Sequence, residues 1–231
     1  MIFRNLIPRS LQQRFLTEEA MKEKKAEKIK IVLATRNPNK VREIRRLVTD
    51  ADIKCIELLS LDDIGYHDEI PETGSTFAEN AYIKASVPAS LGYYGLADDS
   101  GLEVDFLLGA PGVYSARYAG EPCDDVANNE KLLDELLDVD DELRTARYVS
   151  VISFVSPYSV SEGGLFKGTC EGRILRKGRG SGGFGYDPLF FSDELGKTFA
   201  EVSLEEKNTV SHRARALCGL IEHLKYVFGD R

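Results

Sequence analysis

The chain has 231 residues, 42% of them hydrophobic and 29% charged, with a formal net charge of −8 at pH 7. That length allows one large domain or two small ones, with roughly 70% of the extended surface buried in a core. The composition excludes wholesale disorder, a collagen repeat and a coiled coil, and no stretch approaches the roughly 20 apolar residues of a membrane-spanning helix.

Charge is unevenly spread. Residues 1–30 carry eight Lys/Arg against four Asp/Glu, so the remaining body is strongly acidic. Such a body is a poor partner for nucleic-acid polymers, whose backbones demand Lys and Arg. An anionic ligand must instead be gripped by a local basic pocket. Cys55, Cys123, Cys170 and Cys218 are scattered with no CxxC pair, which fits reduced thiols and a cytoplasmic location better than a disulfide framework or zinc site.

In chain order, residues 1–28 form an N-terminal extension with basic and mixed Glu/Lys runs, outside the folded body. A transit peptide or an extra helix is one reading, and a start-site extension is the preferred one. A single domain over 29–231 follows. Ile29–Ala34 reads as a strand, Thr35–Asn39 as a loop, and Val41, Ile44, Leu47 and Val48 as the stripe of a helix. A second strand is expected at Ile53–Leu58. Thr76 and Glu79 spell a capping box opening a helix that Pro88 should end near Val87. Tyr93–Ala97 reads as a strand running into Asp98-Asp99-Ser100-Gly101. An acidic amphipathic helix is expected at 124–138, then two long strands, Arg144–Val155 and Leu165–Leu175, paired as a hairpin. Ser203 and Glu206 suggest another cap. Leu217, Leu220, Ile221, Leu224 and Phe228 mark a last helix stopped by Gly229. The early alternation of strand and helix with a central hairpin predicts an α/β fold on a mixed sheet.

Five segments carry candidate chemistry. Thr35-Arg36-Asn37-Pro38-Asn39-Lys40 joins strand to helix, a turn that aims backbone N–H groups and a positive helix end at an anion. Without glycines it is no Walker A loop, and the alternative is a capped turn with a surface lysine. The paired carboxylates Asp98 and Asp99 are costly unless a cation offsets them, and such hard oxygens suit Mg²⁺. The alternative is a polar turn with Gly101 in a left-handed conformation. Glu72 gains a role only as a partner of Asp99 on one metal. Gly180–Gly185 with Phe184, Tyr186 and Asp187 combines close backbone approach with an aromatic face for a base, the preferred alternative taken alone being a hairpin turn with core aromatics. Lys207 and Ser211-His212-Arg213 open the last helix with donors or, preferred taken alone, form a capped helix start with surface basics.

Together these segments resemble the inosine triphosphate pyrophosphatase family of non-canonical purine nucleotide hydrolases. The carrying residues are Thr35-x-Asn37-x-x-Lys40, Glu72-Thr73-Gly74-x-Thr76-Phe77-x-Glu79-Asn80-Ala81, Lys84-Ala85, Ala97–Leu102, Ala110–Arg117, Gly183–Pro188 and Ser211–Arg213, in that order from about Ile29 onward. The resemblance implies an elongated α/β fold with two lobes around a nucleotide cleft, commonly a homodimer. It implies Mg²⁺-dependent hydrolysis of ITP, dITP and XTP to the monophosphate and pyrophosphate. It gives Thr35, Asn37, Lys40 and Lys84 to the triphosphate, Glu72 and Asp99 to Mg²⁺, and proton acceptance to Asp99. Ser100, Phe184, Gly185, Tyr186, Asp187, Lys207, His212 and Arg213 would contact the nucleotide. Arg36, where a small residue is usual, and Pro88 depart from the pattern. Base choice has a simple logic: an Arg213 donor suits the C6 oxygen of inosine or xanthine and opposes the amino group of adenine. A nucleotide sensor without turnover and a phosphatase releasing orthophosphate are the rival classes, and the product released separates them.

Overall fold

The computed structural model describes residues 28–229. The expected extension therefore lies, except for Lys28, outside the described residues. The chain runs β1 (Ile29–Leu33), α1 (Pro38–Asp50), β2 (Ile56–Ser60), α2 (Phe77–Ser90), β3 (Tyr94–Val104), α3 (Asp125–Glu135), β4 (Thr145–Val155), β5 (Gly164–Ile174), β6 (Phe190–Ser192), β7 (Lys197–Thr198), α4 (Leu204–Lys207) and α5 (His212–Phe228), with short 3₁₀ turns between. The strands form one seven-stranded sheet in the order β2-β1-β3-β4-β5-β6-β7. β1 pairs parallel with both β2 and β3, and every later pairing is antiparallel. The mixed α/β sheet is the one the sequence predicts. β3, β4 and β5 are each 11 residues long, about 36 Å at strand rise, which makes the sheet elongated.

Local signals explain most helix starts. Asn37 caps α1 by accepting from the Asn39 and Lys40 amides, with Pro38 set in the first turn. Thr76 and Glu79 form the expected capping box. Ser203 and Ser211 cap α4 and α5.

Three boundaries differ from the sequence reading. β2 begins at Ile56 rather than Ile53, since residues 51–55 turn out of α1 before pairing starts. Pro88 does not end α2, which continues to Ser90. One missing N–H near a helix end is a small loss against packing, and Pro88 is buried. β3 does not stop at Ala97. It runs on through Asp98-Asp99-Ser100-Gly101 to Val104, because β4 supplies a partner for each residue from Gly95 to Val104. The tetrapeptide is thus strand, not turn.

Strand alternation then decides the site. Leu96 packs with Ile44 and Val48 of α1 and Leu217 and Leu220 of α5, whereas Ala97 packs with Ala85 of α2. Period-two geometry sends Asp98 toward the α1 and α5 face and Asp99 toward the α2 face. Two helices press closely on the sheet. A Cβ at Gly95 would lie 1.8 Å from the Ala85 carbonyl oxygen, and one at Gly168 would lie 2.1 Å from that of His212. A second large core gathers Leu132 of α3 and Leu136 at its C-cap with Tyr148, Phe190 and Phe199 at the other half of the sheet. In α3 the expected stripe is only partly met, since Leu137 lies past the helix end and is exposed. A cleft of about 470 Å³ opens beside the sheet, lined by Tyr148 and Tyr186 of this second core and by Ala34 and Leu61 of a smaller cluster between the sheet and α2.

Candidate active site

The residues that the resemblance assigns to substrate and metal all line this one cleft: Thr35, Asn37, Lys40, Glu72, Lys84, Asp99 and Ser100, with Phe184–Asp187, Lys207, His212 and Arg213; Asp98, the other candidate carboxylate, does not. They come from the β1–α1 turn, the loop before α2, α2 itself, β3, the glycine-rich loop before β6, α4 and the start of α5.

At the β1–α1 turn the geometry revises one expectation. Asn37 Oδ1 takes the Asn39 and Lys40 amides, and Pro38 has no N–H. The turn therefore offers an anion the Thr35 hydroxyl, the Asn37 amide group and Lys40 more than free backbone donors. Arg36 turns away to donate to the Tyr66 and Asp68 carbonyls at 2.8 and 2.9 Å. It ties this turn to the loop that leads to Glu72.

The acidic centre lies on the α2 face. Lys84 Nζ stands 2.8 Å from both Glu72 Oε1 and Asp99 Oδ1. Glu72 Oε2 also faces Arg117 at 3.9 Å. The loop carrying Glu72 is braced from α2, where Asn80 Oδ1 accepts the Gly74 amide at 2.8 Å and Glu79 accepts from Ser75. Burial raises the Asp99 carboxyl above its usual range despite Lys84. Burial acts the same way on Glu72, but Lys84 outweighs it and holds that carboxyl low. Two carboxylates meeting one cation are a fitting pair for a hard divalent ion, which commonly takes one or two carboxylates and fills its remaining positions with water and phosphate oxygens. Among the described residues no cluster of three or more His, Cys, Asp or Glu forms a metal cage.

Asp98 anchors the other face and does not line the cleft. It has no solvent exposure and accepts from Lys40 at 2.9 Å, Arg213 at 3.2 Å, Ser100 and Ser150. Burial works against its charge, but Arg213 and Lys40 prevail and hold it well below the carboxylate range. Arg213, only 2% exposed, also donates to Glu43 and to Ser100. Four of its five N–H groups are engaged, so the free Arg213 donor expected for a base narrows to one Nη1 hydrogen. Burial also lowers the Lys40 ammonium.

The far end is aromatic. Lys207 Nζ bonds Asp187 at 2.7 Å and sits 5.0 Å from the centroids of Phe184 and Phe199. Tyr186 donates to the Ser115 carbonyl, and Asp187 accepts from Tyr148 and from the Phe184 amide. The polar groups of Tyr186 and Asp187 thus brace the loop, while Phe184 remains half-buried at the cleft. Gly185 is clamped by α3: its amide donates to Asp125 and its carbonyl accepts from Asn129. His212 stacks on Tyr148 with ring centroids 4.7 Å apart. Burial, then Arg213 and Lys207, lower its imidazole well below the usual value and keep it neutral.

Sequence reasoning gave no role to Glu43, Tyr148, Asp125, Asn129 or Arg117. Glu43 carried a signal, a charged residue beside the apolar stripe of α1. Arg117 stands in the Ala110–Arg117 run. The other three depend on contacts across the fold.

The Ham1 family model matches residues 31–223. A dITP/XTP pyrophosphatase of Desulforamulus reducens is 48% identical over 201 residues, covering 87% of this chain and 98% of that protein. One of Geobacter sulfurreducens is 53% identical over 199 residues, covering 84% and 96%. The solved structure of a HAM1 protein from Coxiella burnetii superposes with a TM-score of 0.78 at 40% identity, over 86% of this chain and 99% of that one. The resemblance read from the ordered motifs is thereby borne out: the chain belongs to the Ham1 family and is an enzyme of its pyrophosphatase type.

Proposed function

We propose that this protein hydrolyses the non-canonical purine nucleoside triphosphates ITP, dITP and XTP to the monophosphate and pyrophosphate, with Mg²⁺, and so removes deaminated purines from the nucleotide pool. One observation carries this reading: a single cleft has a carboxylate pair on a lysine at its centre, a lysine-bearing turn at one side and an aromatic, donor-rich end at the other. The names of relatives about half identical to this chain agree with it.

Thr35, Asn37, Lys40 and Lys84 bind the polyphosphate, whose charge an acidic body can tolerate only next to such groups. Glu72 and Asp99 hold Mg²⁺, which when bound supplies Lewis-acid polarisation of a phosphate oxygen. Asp99 is the proton acceptor for the attacking water. Positioning and charge stabilisation do the rest, as phosphoryl transfer demands little covalent help. Phe184 stacks on the base, with Gly185, Tyr186 and Asp187 shaping the loop that presents it. Ser100, Lys207, His212 and the remaining Arg213 N–H complete the nucleotide contacts and favour a C6 oxygen over an amino group. Residues 29–231 form the catalytic domain, the enzyme is a homodimer, and it works in the cytoplasm. No helix among the described residues is long and apolar enough to cross a membrane.

The test is a product assay with Mg²⁺ on ITP, dITP, XTP, GTP and ATP, reading pyrophosphate and orthophosphate in parallel. Pyrophosphate from the first three, with GTP and ATP much slower, is the expected result. Comparable turnover of all five would refute the base selection, and orthophosphate as the product would refute the reaction.

A further inference from the structure

The two carboxylates assigned to the metal already have a cation. Lys84 is only 7% exposed, and its ammonium lies 2.8 Å from one oxygen of each. Glu72 is enclosed further, because its second oxygen faces Arg117 at 3.9 Å. A divalent ion such as Mg²⁺ binds carboxylate oxygens at about 2.1 Å. An ammonium hydrogen-bonded to the same oxygens would then stand a few ångströms from a dication beside the buried Lys84 and Asp99, where like charges repel more than in bulk water. The two cations compete for the same oxygens.

Lysine is suited to losing such a contest reversibly. Its compact charge rides on a flexible four-carbon stem and can be handed from one set of oxygens to another. Phosphate oxygens in the cleft are an acceptor set of equal quality. We propose that Lys84 is an exchangeable counter-ion: in the free enzyme it bars divalent cations from Glu72 and Asp99, and the polyphosphate of the substrate draws it off, so that metal enters together with nucleotide. This inference rests on the proposed reading of the cleft and adds an order of events to it. Metal and nucleotide must then each tighten the other's binding by the same factor.

The experiment measures Mn²⁺ binding by the electron paramagnetic resonance of the free ion, on the full chain at about pH 8, where the ordinary carboxylate and lysine charges are in place. Wild type, Lys84→Met and Lys84→Arg are compared, each without nucleotide and with a non-hydrolysable α,β-methylene analogue of dITP. Lys84→Met should bind Mn²⁺ alone at least about tenfold more tightly than wild type, within the usual span of coupling between sites. Lys84→Arg keeps the positive charge and should stay near wild type. The analogue should tighten Mn²⁺ binding strongly in wild type and much less in Lys84→Met. If Lys84→Met does not fold, Lys84→Gln, which keeps a polar donor without the charge, is read the same way.

Unchanged Mn²⁺ affinity in the uncharged variant, or equal tightening by the analogue with and without the charge, would overturn the proposal. Either result would mean that the ion uses other oxygens while Lys84 stays in place. Pyrophosphate release by the wild-type enzyme tests the underlying reading separately. A wild type that releases pyrophosphate beside a variant with no gain in Mn²⁺ affinity would sink the counter-ion alone.

Discussion

Asp98 and Asp99 are neighbours on β3, and replacing each with asparagine should have opposite effects. Asp98→Asn removes the anion shared by Lys40 at 2.9 Å and Arg213 at 3.2 Å, at a position with no exposure. Arg213 keeps Glu43, but Lys40 has no second salt bridge among the described residues. Removing one partner of a buried ion pair typically costs about 3–5 kcal/mol. At about 2–4 °C per kcal/mol for a protein of this size, the midpoint of thermal unfolding should fall by about 6–20 °C. Asp98 titrates below its unfolded value when folded, so its contribution is present above about pH 4 and is lost as pH falls through the lower folded value. The gap between wild type and Asp98→Asn should therefore narrow below about pH 4. Asp99→Asn is the reverse case. Burial already makes the ionised Asp99 less favourable in the fold than in the unfolded chain, and Lys84 retains Glu72. Its stability should stay within about 1 kcal/mol of wild type, while pyrophosphate release is abolished. Circular dichroism melts of both variants, with a pyrophosphate assay on Asp99→Asn, make the comparison. An Asp98→Asn protein melting within a few degrees of wild type, or an Asp99→Asn protein falling as far as its neighbour, would refute the division of labour between the two faces of the strand.

Three other outcomes are expected. The folded state keeps His212 neutral while the unfolded chain protonates it near pH 6.5. Stability from this group is thus lost as pH falls, by about 1.4 kcal/mol between about pH 7.5 and about pH 5.5. Urea midpoints of His212→Gln should lack that component, and an identical pH profile in the variant would contradict it. In Gly168→Ala, the added methyl meets the His212 carbonyl oxygen at 2.1 Å and the Ala216 nitrogen at 2.5 Å. It should cost about 1–3 kcal/mol by overpacking and raise KM by shifting the start of α5, so an unaltered melt and KM would count against it. Arg144, 2% exposed, donates to the carbonyls of Leu136, Ile174 and Leu175 far from the acidic centre. Lysine cannot span three acceptors. Arg144→Lys should cost about 1–3 kcal/mol for each carbonyl left bare with kcat unchanged, which melts and steady-state kinetics can check together.

Local chemistry was readable in the sequence because it acts over a few residues. The Thr76 and Glu79 capping box, Asn37 before Pro38, the hairpin of β4 and β5, and the apolar faces of α1 and α5 follow from hydrogen-bond reach and side-chain period. The ordered motifs also named many of the residues that line the cleft, though not Tyr148 or Asp125, and the family to which the chain belongs. The end of β3 was not readable, because a strand continues wherever a neighbour supplies partners, and β4 lies some fifty residues away. Nor could the sequence separate Asp98 from Asp99. Adjacent carboxylates are chemically alike until the pleat sends one to Arg213 and Lys40 and the other to Lys84. The commitment of Arg213 to Glu43 and Asp98, and of the Tyr186 and Asp187 polar groups to the loop, likewise came only with the tertiary structure. A side chain's type sets what it can bond, but its partners are chosen by which distant elements the sheet brings to the same face.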